Sequence, residues 1–113
     1  MTFGQLIHIR FFCAAASKAE ASAATNNLID VLKGFGTVGS GTPKQYWKIP
    51  EYYECSLEVR GSMVSESMLV AVTQKLGTGW ERVGDNCYVW SHSENTSFVD
   101  NNIRWAELEF LDG

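Results

Sequence analysis

The sequence lacks the long apolar segments by which membrane and secreted proteins are recognised. Its longest strongly apolar run, Phe11 to Ala16, is far shorter than the roughly 20 residues of a membrane-spanning helix. The one early charge, Arg10, interrupts the apolar stretch instead of preceding it, so the layout of a signal peptide is absent. We therefore expect a cytoplasmic protein that does not enter membranes.

Cysteine is scarce, with only Cys13, Cys55 and Cys87 in the chain. An odd number at wide spacing argues against a disulfide framework, and no CxxC pair indicates a metal site. Each cysteine falls in an apolar strand pattern, where a free thiol behaves as a small buried hydrophobe. We expect three reduced core thiols, no metal and no cofactor.

Catalytic motifs are missing as well. The chain has two histidines, His8 and His92, and contains no HExxH, GxSxG or nucleotide fingerprint. Glu107 and Glu109 share one strand face, as paired catalytic acids sometimes do. Two solvent-exposed carboxylates are more common on such a strand than a catalytic acid–base pair, because a catalytic pair needs an enclosed pocket that separates the two pKa values. The sequence predicts that the protein is not an enzyme. An enzyme that uses His8 and the sheet face as the floor of a pocket is kept as a third hypothesis, after the two binding functions described below.

What is present is a globular composition with an uneven charge. The 113 residues, 45% hydrophobic and 19% charged, fit one domain with its own core. Residues 1–50 carry five basic and two acidic side chains, a net +3, whereas residues 51–113 carry four and eleven, a net −7. An acidic half disfavours nucleic acid, since phosphate contacts need Lys and Arg. It favours a basic protein partner, although such carboxylates often serve only solubility.

Three segments alternate apolar and polar residues with the period of a half-buried strand: Gln5 to Cys13, Tyr52 to Arg60 and Ile103 to Leu111. In the last segment, Ile103 is expected to share the outer face with Trp105. The residues predicted to be buried between sheet and helices are Ile9, Phe11, Leu57, Val59, Leu108 and Phe110.

Two helices are expected between these strands. Ser17 and Glu20 have the spacing of a capping box, so the first helix begins there, and Gly34 is placed to end it in a left-handed conformation. Apolar residues at helical spacing predict a second helix over Ser62 to Leu76, which Gly77 ends.

The other segments are short. Gly36 to Thr42 is glycine-rich but lacks the Gly-Lys-Ser/Thr ending of a phosphate-binding loop, so it is expected to be a flexible connector. Tyr46 to Ile49 is a candidate short strand, broken at Pro50. Trp80 to Val83 and Cys87 to Ser91 have the pattern of a hairpin.

The order β-α-β-α-β-β predicts an α+β fold in one domain, residues 1–113. Two helices on one face of a mainly antiparallel sheet make a two-layer sandwich, ferredoxin-like or related. A strand–helix–strand connection in such a sheet would be right-handed.

The sheet face without helices is expected to carry His8 and Arg10 together with aromatic and acidic side chains. A contiguous aromatic set usually marks an interface, and carboxylates around it select a basic partner. The alternative is that these rings are ordinary cross-strand pairs, or that residues 92–102 fold over them. The predicted partner-binding residues are Tyr52, Glu54, Glu58, Tyr88, Trp90, Trp105, Glu107 and Glu109.

The segment from Trp90 to the end, above all Asp100 to Phe110 (DNNIRWAELEF), together with the acidic bias after residue 50, resembles the small cytosolic immunity proteins of bacterial toxin–immunity systems such as contact-dependent growth inhibition. The resemblance covers the last quarter of the chain. It implies an antitoxin that sequesters a cognate toxin domain, often a basic nuclease, by covering its active site or substrate surface. The second hypothesis is a ferredoxin-like module that binds a small ligand or forms a homodimer through its sheet face.

Overall fold

Antiparallel strands organise the protein, whose computed structural model describes residues 6–61, 66–84 and 87–111. The helices are α1 (Lys18–Leu32) and α2 (Glu66–Leu76). The strands are β1 (Leu6–Ala14), β2 (Thr37–Ser40), β3 (Lys44–Gln45), β4 (Tyr52–Arg60), β5 (Gly77–Thr78), β6 (Glu81–Arg82), β7 (Cys87–Ser91), β8 (Ser97–Phe98) and β9 (Ile103–Leu111).

Seven of the strands form one sheet in the order β2-β4-β1-β9-β7-β6, with β3 also paired to β4. Each pairing between described residues is antiparallel, and β5 and β8 form a separate two-stranded sheet. Both helices pack on one face of the large sheet, so the α+β two-layer arrangement is confirmed. The ferredoxin-like topology is not confirmed: β1 and β4, on either side of α1 in the chain, are direct antiparallel neighbours, whereas a split βαβ unit has parallel strands.

The core lies between this sheet face and the helices. Alternation places Ile7, Ile9, Phe11 and Cys13 of β1 fully inside, opposite apolar residues of β4 and β9. Of the six residues predicted to be buried, five are, and Phe110 lies on the core face but is half-buried near the end of β9. The core residues of the helices are Ala21, Ala24, Leu28, Leu32, Leu69, Val72 and Leu76.

The predicted N-cap, Ser17, is present at the start of α1, and the reciprocal bond of Glu20 goes to the residue before the cap and not to Ser17 itself. The hydroxyl of Ser17 accepts a hydrogen bond from the backbone N–H of Glu20 at 3.2 Å, and the Glu20 carboxylate accepts one from Ala16 N–H at 3.3 Å. The first bond satisfies one of the amide groups that have no partner within the first turn of the helix, and the second ties Glu20 to the chain just before it. The left-handed glycine after α1 is Gly36, with φ 156°, and not Gly34 as predicted.

Two short segments differ from the prediction. The glycine-rich stretch is not only a connector, because β2 occupies most of it and pairs with the outer end of β4. The candidate strand at Tyr46 to Ile49 is wrong, because β3 ends at Gln45, just before this segment. Residues 46–51 form a loop, which is closed by a hydrogen bond from Tyr52 N–H to Ile49 O at 2.9 Å. The start of the predicted second helix, residues 62–65, and the turn residues 85–86 lie outside the described residues.

Residues 92–102 fold onto the helix side of the sheet. Val99 N–H donates to the carbonyl oxygen of Leu76 at 2.7 Å, and β8 pairs with β5 directly after α2. Gly77, which follows α2 as predicted, lies so close to β8 that a Cβ would overlap the carbonyl oxygen of Ser97. The alternative in which this segment folds over the opposite face of the sheet is therefore wrong.

A β-bulge interrupts the alternation of β9. Trp105 pairs with Phe12 and Ile103 pairs with the next residue, Cys13, so Arg104 is one residue too many for the ladder. As a result Ile103 is 0% exposed on the core face while Trp105 lies on the other face. The prediction that Ile103 and Trp105 share a face is wrong for this reason.

Candidate functional site

The face of the large sheet opposite α1 and α2, called here the open face, carries the candidate site. It is built from the alternate residues of β1, β4 and β9 that do not enter the core. Direct cross-strand pairing places His8 between Glu58 and Glu109, and places Arg10 beside Glu107. One end of the face is therefore rich in carboxylates.

The other end of the open face is aromatic. The ring of Phe12 lies 5.3 Å from that of Trp105 and 4.6 Å from that of Tyr46, centroid to centroid. The ring of Tyr46 is in turn 6.4 Å from that of Trp47, and Tyr52 lies 6.5 Å from Phe12. These five residues form one continuous group, the aromatic strip, which runs from β9 across β1 onto loop 46–51. Ring pairs at such distances attract each other by about 0.5–1.5 kcal/mol beyond simple burial.

An ion pair joins the two ends of the open face. The Nε of Arg10 donates to a carboxylate oxygen of Glu54 at 2.6 Å. The same guanidinium lies 5.1 Å from the ring centroid of Phe12 and 5.7 Å from that of Trp105. Arg10 is thereby held by one carboxylate and two rings, and it fixes Phe12 and Trp105 in place.

The carboxylates of the open face differ in their partners. Glu54 is paired with Arg10, and Glu58 lies 3.3 Å from a guanidinium nitrogen of Arg60. Within the part of the chain that the structure describes, Glu107 and Glu109 form no ion pair. They lie on successive outward positions of β9, next to the aromatic strip, so their negative charge is available to a cation from outside.

The predicted site residues divide into two groups. The first group lies together on the open face and comprises Tyr52, Glu54 and Glu58 of β4 and Trp105, Glu107 and Glu109 of β9. The expectation for β7 is wrong: Trp90 pairs with Ala106 and Tyr88 with Leu108, so both rings lie on the core face. Trp90 is 1% exposed, which removes it as a direct contact, and Tyr88 is half-buried against the core.

The inverted face of β7 also changes the third cysteine. Cys87, expected in the core, is half-buried on the open face, with its Sγ 4.0 Å from a carboxylate oxygen of Glu107. Partial burial, followed by the charges of Glu107 and Glu109, raises the pKa of this thiol. Cys13 and Cys55 are buried as predicted, and burial raises the pKa of Cys13 to about 12.

Sequence reasoning missed three members of the aromatic strip. Strict alternation along β1 puts Phe12 on the same face as Arg10, yet Phe12 is not among the predicted partner-binding residues. Tyr46 and Trp47 were assigned to a strand, and their position is set by loop 46–51, where Tyr46 N–H bonds to Tyr52 O at 2.8 Å. The only available signal was the adjacency of two aromatic residues before a proline.

The open face also has a shallow depression beside the Arg10–Glu54 pair. Its volume is about 500 Å³, within the range of small-molecule sites, and most of the residues that line it are polar. The lining residues include His8, Arg10, Lys44, Glu54, Thr42 and Ser56. Among the described residues, no three His, Cys, Asp or Glu side chains are grouped so as to hold a metal ion.

Neither α1 nor α2, as far as the structure describes them, has the length and apolarity to cross a membrane. Comparison with protein-family models, with curated proteins and with solved structures found no match.

Proposed function

We propose that the protein is an inhibitor of the immunity-protein type, which acts in the cytoplasm by binding a basic toxin domain, such as a nuclease, through its open face. The observation that carries the proposal is the placement of Glu107 and Glu109, which lack an ion pair in the described chain, directly beside the aromatic strip. Aromatic anchors supply most of the affinity in many interfaces, and surrounding charges supply orientation and association rate.

The proposed mechanism needs no chemistry in this chain. The carboxylates of β9 attract the basic surface of the toxin, and the strip then excludes water from the contact. Occupying the nucleic-acid-binding surface of a nuclease prevents its substrate from approaching, because that surface must itself be basic. The acidic balance of residues 51–113, a net −7, extends the attraction beyond the contact itself.

Co-purification from the native host at low salt tests the proposal. A basic protein retained by the chain, and released as salt is raised, is the expected result. Its association rate should then fall for Glu107→Lys, because that substitution reverses a charge on the open face. Glu94→Lys is the matched control: it changes net charge equally, but Glu94 is exposed in the segment on the helix side. Equal association rates for the two variants would show that the partner uses another surface.

A second candidate function is supported by the depression beside Arg10. A module that binds a small polar ligand, or that pairs its sheet face with a second copy, would use the same residues. Sedimentation of the purified protein at micromolar concentration distinguishes the dimer, and a thermal shift with small anionic and cationic metabolites tests the ligand. A monomer that no metabolite stabilises speaks against both.

A further inference from the structure

The aromatic strip already holds cations from its own chain at both ends. At one end the guanidinium of Arg10 lies over Phe12 and Trp105, at 5.1 and 5.7 Å from the ring centroids. At the other end the ammonium of Lys48 lies 5.1 Å from the ring centroid of Trp47. Distances within about 6 Å are those at which the ring quadrupole attracts a cation.

The setting of Arg10 shows what this surface offers to a guanidinium. The planar group rests against two rings while a carboxylate accepts its Nε–H. Arginine suits such a place better than lysine, because its guanidinium is flat and weakly hydrated, whereas the lysine ammonium is compact and strongly hydrated. The open face offers a further guanidinium from outside the same kinds of group: the exposed ring of Trp47 on the strip, and Glu107 and Glu109, which form no ion pair among the described residues.

Trp47 is the ring most accessible to such a group. It is 79% exposed at the tip of loop 46–51, whereas the other four residues of the strip are half-buried. The indole continues the chain of packed rings, since Tyr46 lies between it and Phe12, so it offers an exposed stacking surface next to the rest of the strip.

We infer that the aromatic strip selects arginine over lysine on the partner, with Trp47 as the principal stacking ring. This deepens the proposed function and rests on it: the occupant of the open face is a basic protein surface that presents arginine side chains. A surface that worked by charge alone would treat the two basic residues alike, since both carry a single positive charge.

Two capped peptides of equal length and charge provide the probe, one alternating glycine with four arginines and the other alternating glycine with four lysines. Titration at low salt is followed through the indole N–H signals of the protein by NMR. The arginine peptide is expected to bind about threefold or more tightly, the size of an exposed cation–π contact. The indole signals of Trp47 and Trp105 should shift, while that of the buried Trp90 stays unchanged.

Substitution of Trp47 then separates stacking from simple apolar contact. Trp47→Leu keeps an apolar side chain but removes the ring, and it should abolish the difference between the two peptides. Trp47→Phe should restore part of it. Val83→Ala is the matched control for loss of an exposed apolar group, because Val83 is 55% exposed on the hairpin, and it should leave both affinities unchanged.

The outcomes of this test are independent of those for the proposed function. Equal affinity for the two peptides, or no binding of either, overturns the inference, as does an arginine preference that survives in Trp47→Leu. None of these results contradicts a toxin inhibitor, which can act through charge alone on a folded surface. The proposed function fails instead if Glu107→Lys and Glu94→Lys associate with the co-purified partner at the same rate.

Discussion

The indole Nε1 of Trp90 donates a hydrogen bond to the carbonyl oxygen of Thr78 at 2.8 Å. Trp90 lies in β7 of the large sheet, and Thr78 lies in β5, which follows α2 directly. The ring of Phe98 in β8 packs 4.6 Å from that of Trp90. One side chain thus connects the large sheet, the small sheet and the end of the second helix.

Truncation of Trp90 should therefore be severe. Trp90→Ala is expected to lower the free energy of unfolding by about 3–5 kcal/mol, because a large buried ring is lost and a cavity remains. Trp90→Phe should cost less, since it refills part of the volume but leaves the Thr78 carbonyl without its donor. Urea unfolding measures both values. Val83→Ala is the control, expected to change stability by less than about 0.5 kcal/mol because Val83 is 55% exposed. A small loss for Trp90→Ala would contradict the tie between the two sheets.

The inverted assignment of β7 shows where alternation stops being informative. In β1 and β4 one face is apolar throughout and the other carries the charged residues, so the sequence alone orients the strand. In β7 both faces are apolar or aromatic, with Cys87 and Val89 on one and Tyr88 and Trp90 on the other. The side that enters the core is set by the pairing of Trp90 with Ala106 on β9. Such a register between two strands cannot be read from the sequence of β7 alone.

Leu108→Ala is expected to cost about 2–5 kcal/mol of unfolding free energy. Leu108 is 0% exposed in the middle of β9, paired with Ile9 on the neighbouring strand. Glu109→Ala, at the next position along the same strand, is the matched control because its side chain lies on the open face. Similar losses for the two variants would mean that the two faces of β9 are exchanged.

Ser17→Ala should destabilise the protein by about 0.5–2 kcal/mol, as the loss of a helix N-cap generally does. The hydroxyl of Ser17 accepts from Glu20 N–H, and alanine leaves that amide without a partner. Ser17→Asp retains an acceptor and should keep most of the stability. Thermal unfolding of the three proteins side by side is sufficient, and indistinguishable melting temperatures would show that this cap contributes nothing.

Alkylation at pH 8 should distinguish the three thiols. The thiolate is the reacting species, so a raised pKa slows the reaction. Cys13 and Cys55, which are buried, should remain unlabelled in the folded protein, and Cys87 should be labelled slowly. Glu107→Gln removes a charge that raises the pKa of Cys87, so it should speed labelling of that residue. Mass spectrometry of digested samples gives the site, and labelling in urea controls for access.

The aromatic strip was only half visible in the sequence. Tyr52 and Trp105 follow from strand alternation, and so does the outward side of Phe12. Trp47 does not, because its position depends on a loop whose course is set by hydrogen bonds between residues 46, 49 and 52. Local patterns specify which side of a regular strand a residue occupies when only one face is apolar, but they do not specify where a loop places its side chains.

The extra residue at Arg104 has a consequence for how the chain tolerates change. It shifts the alternation of β9 by one residue. Before it the odd-numbered Ile103 enters the core, and after it the even-numbered Ala106 and Leu108 do. Deleting Arg104 would restore an unbroken alternation in which Ile103 stays inside and Trp105 stays outside, whereas deleting a single residue of β9 after the bulge would exchange the two faces beyond that point. The length of this strand, counted in single residues, therefore governs both the filling of the interior and the chemistry presented to solvent.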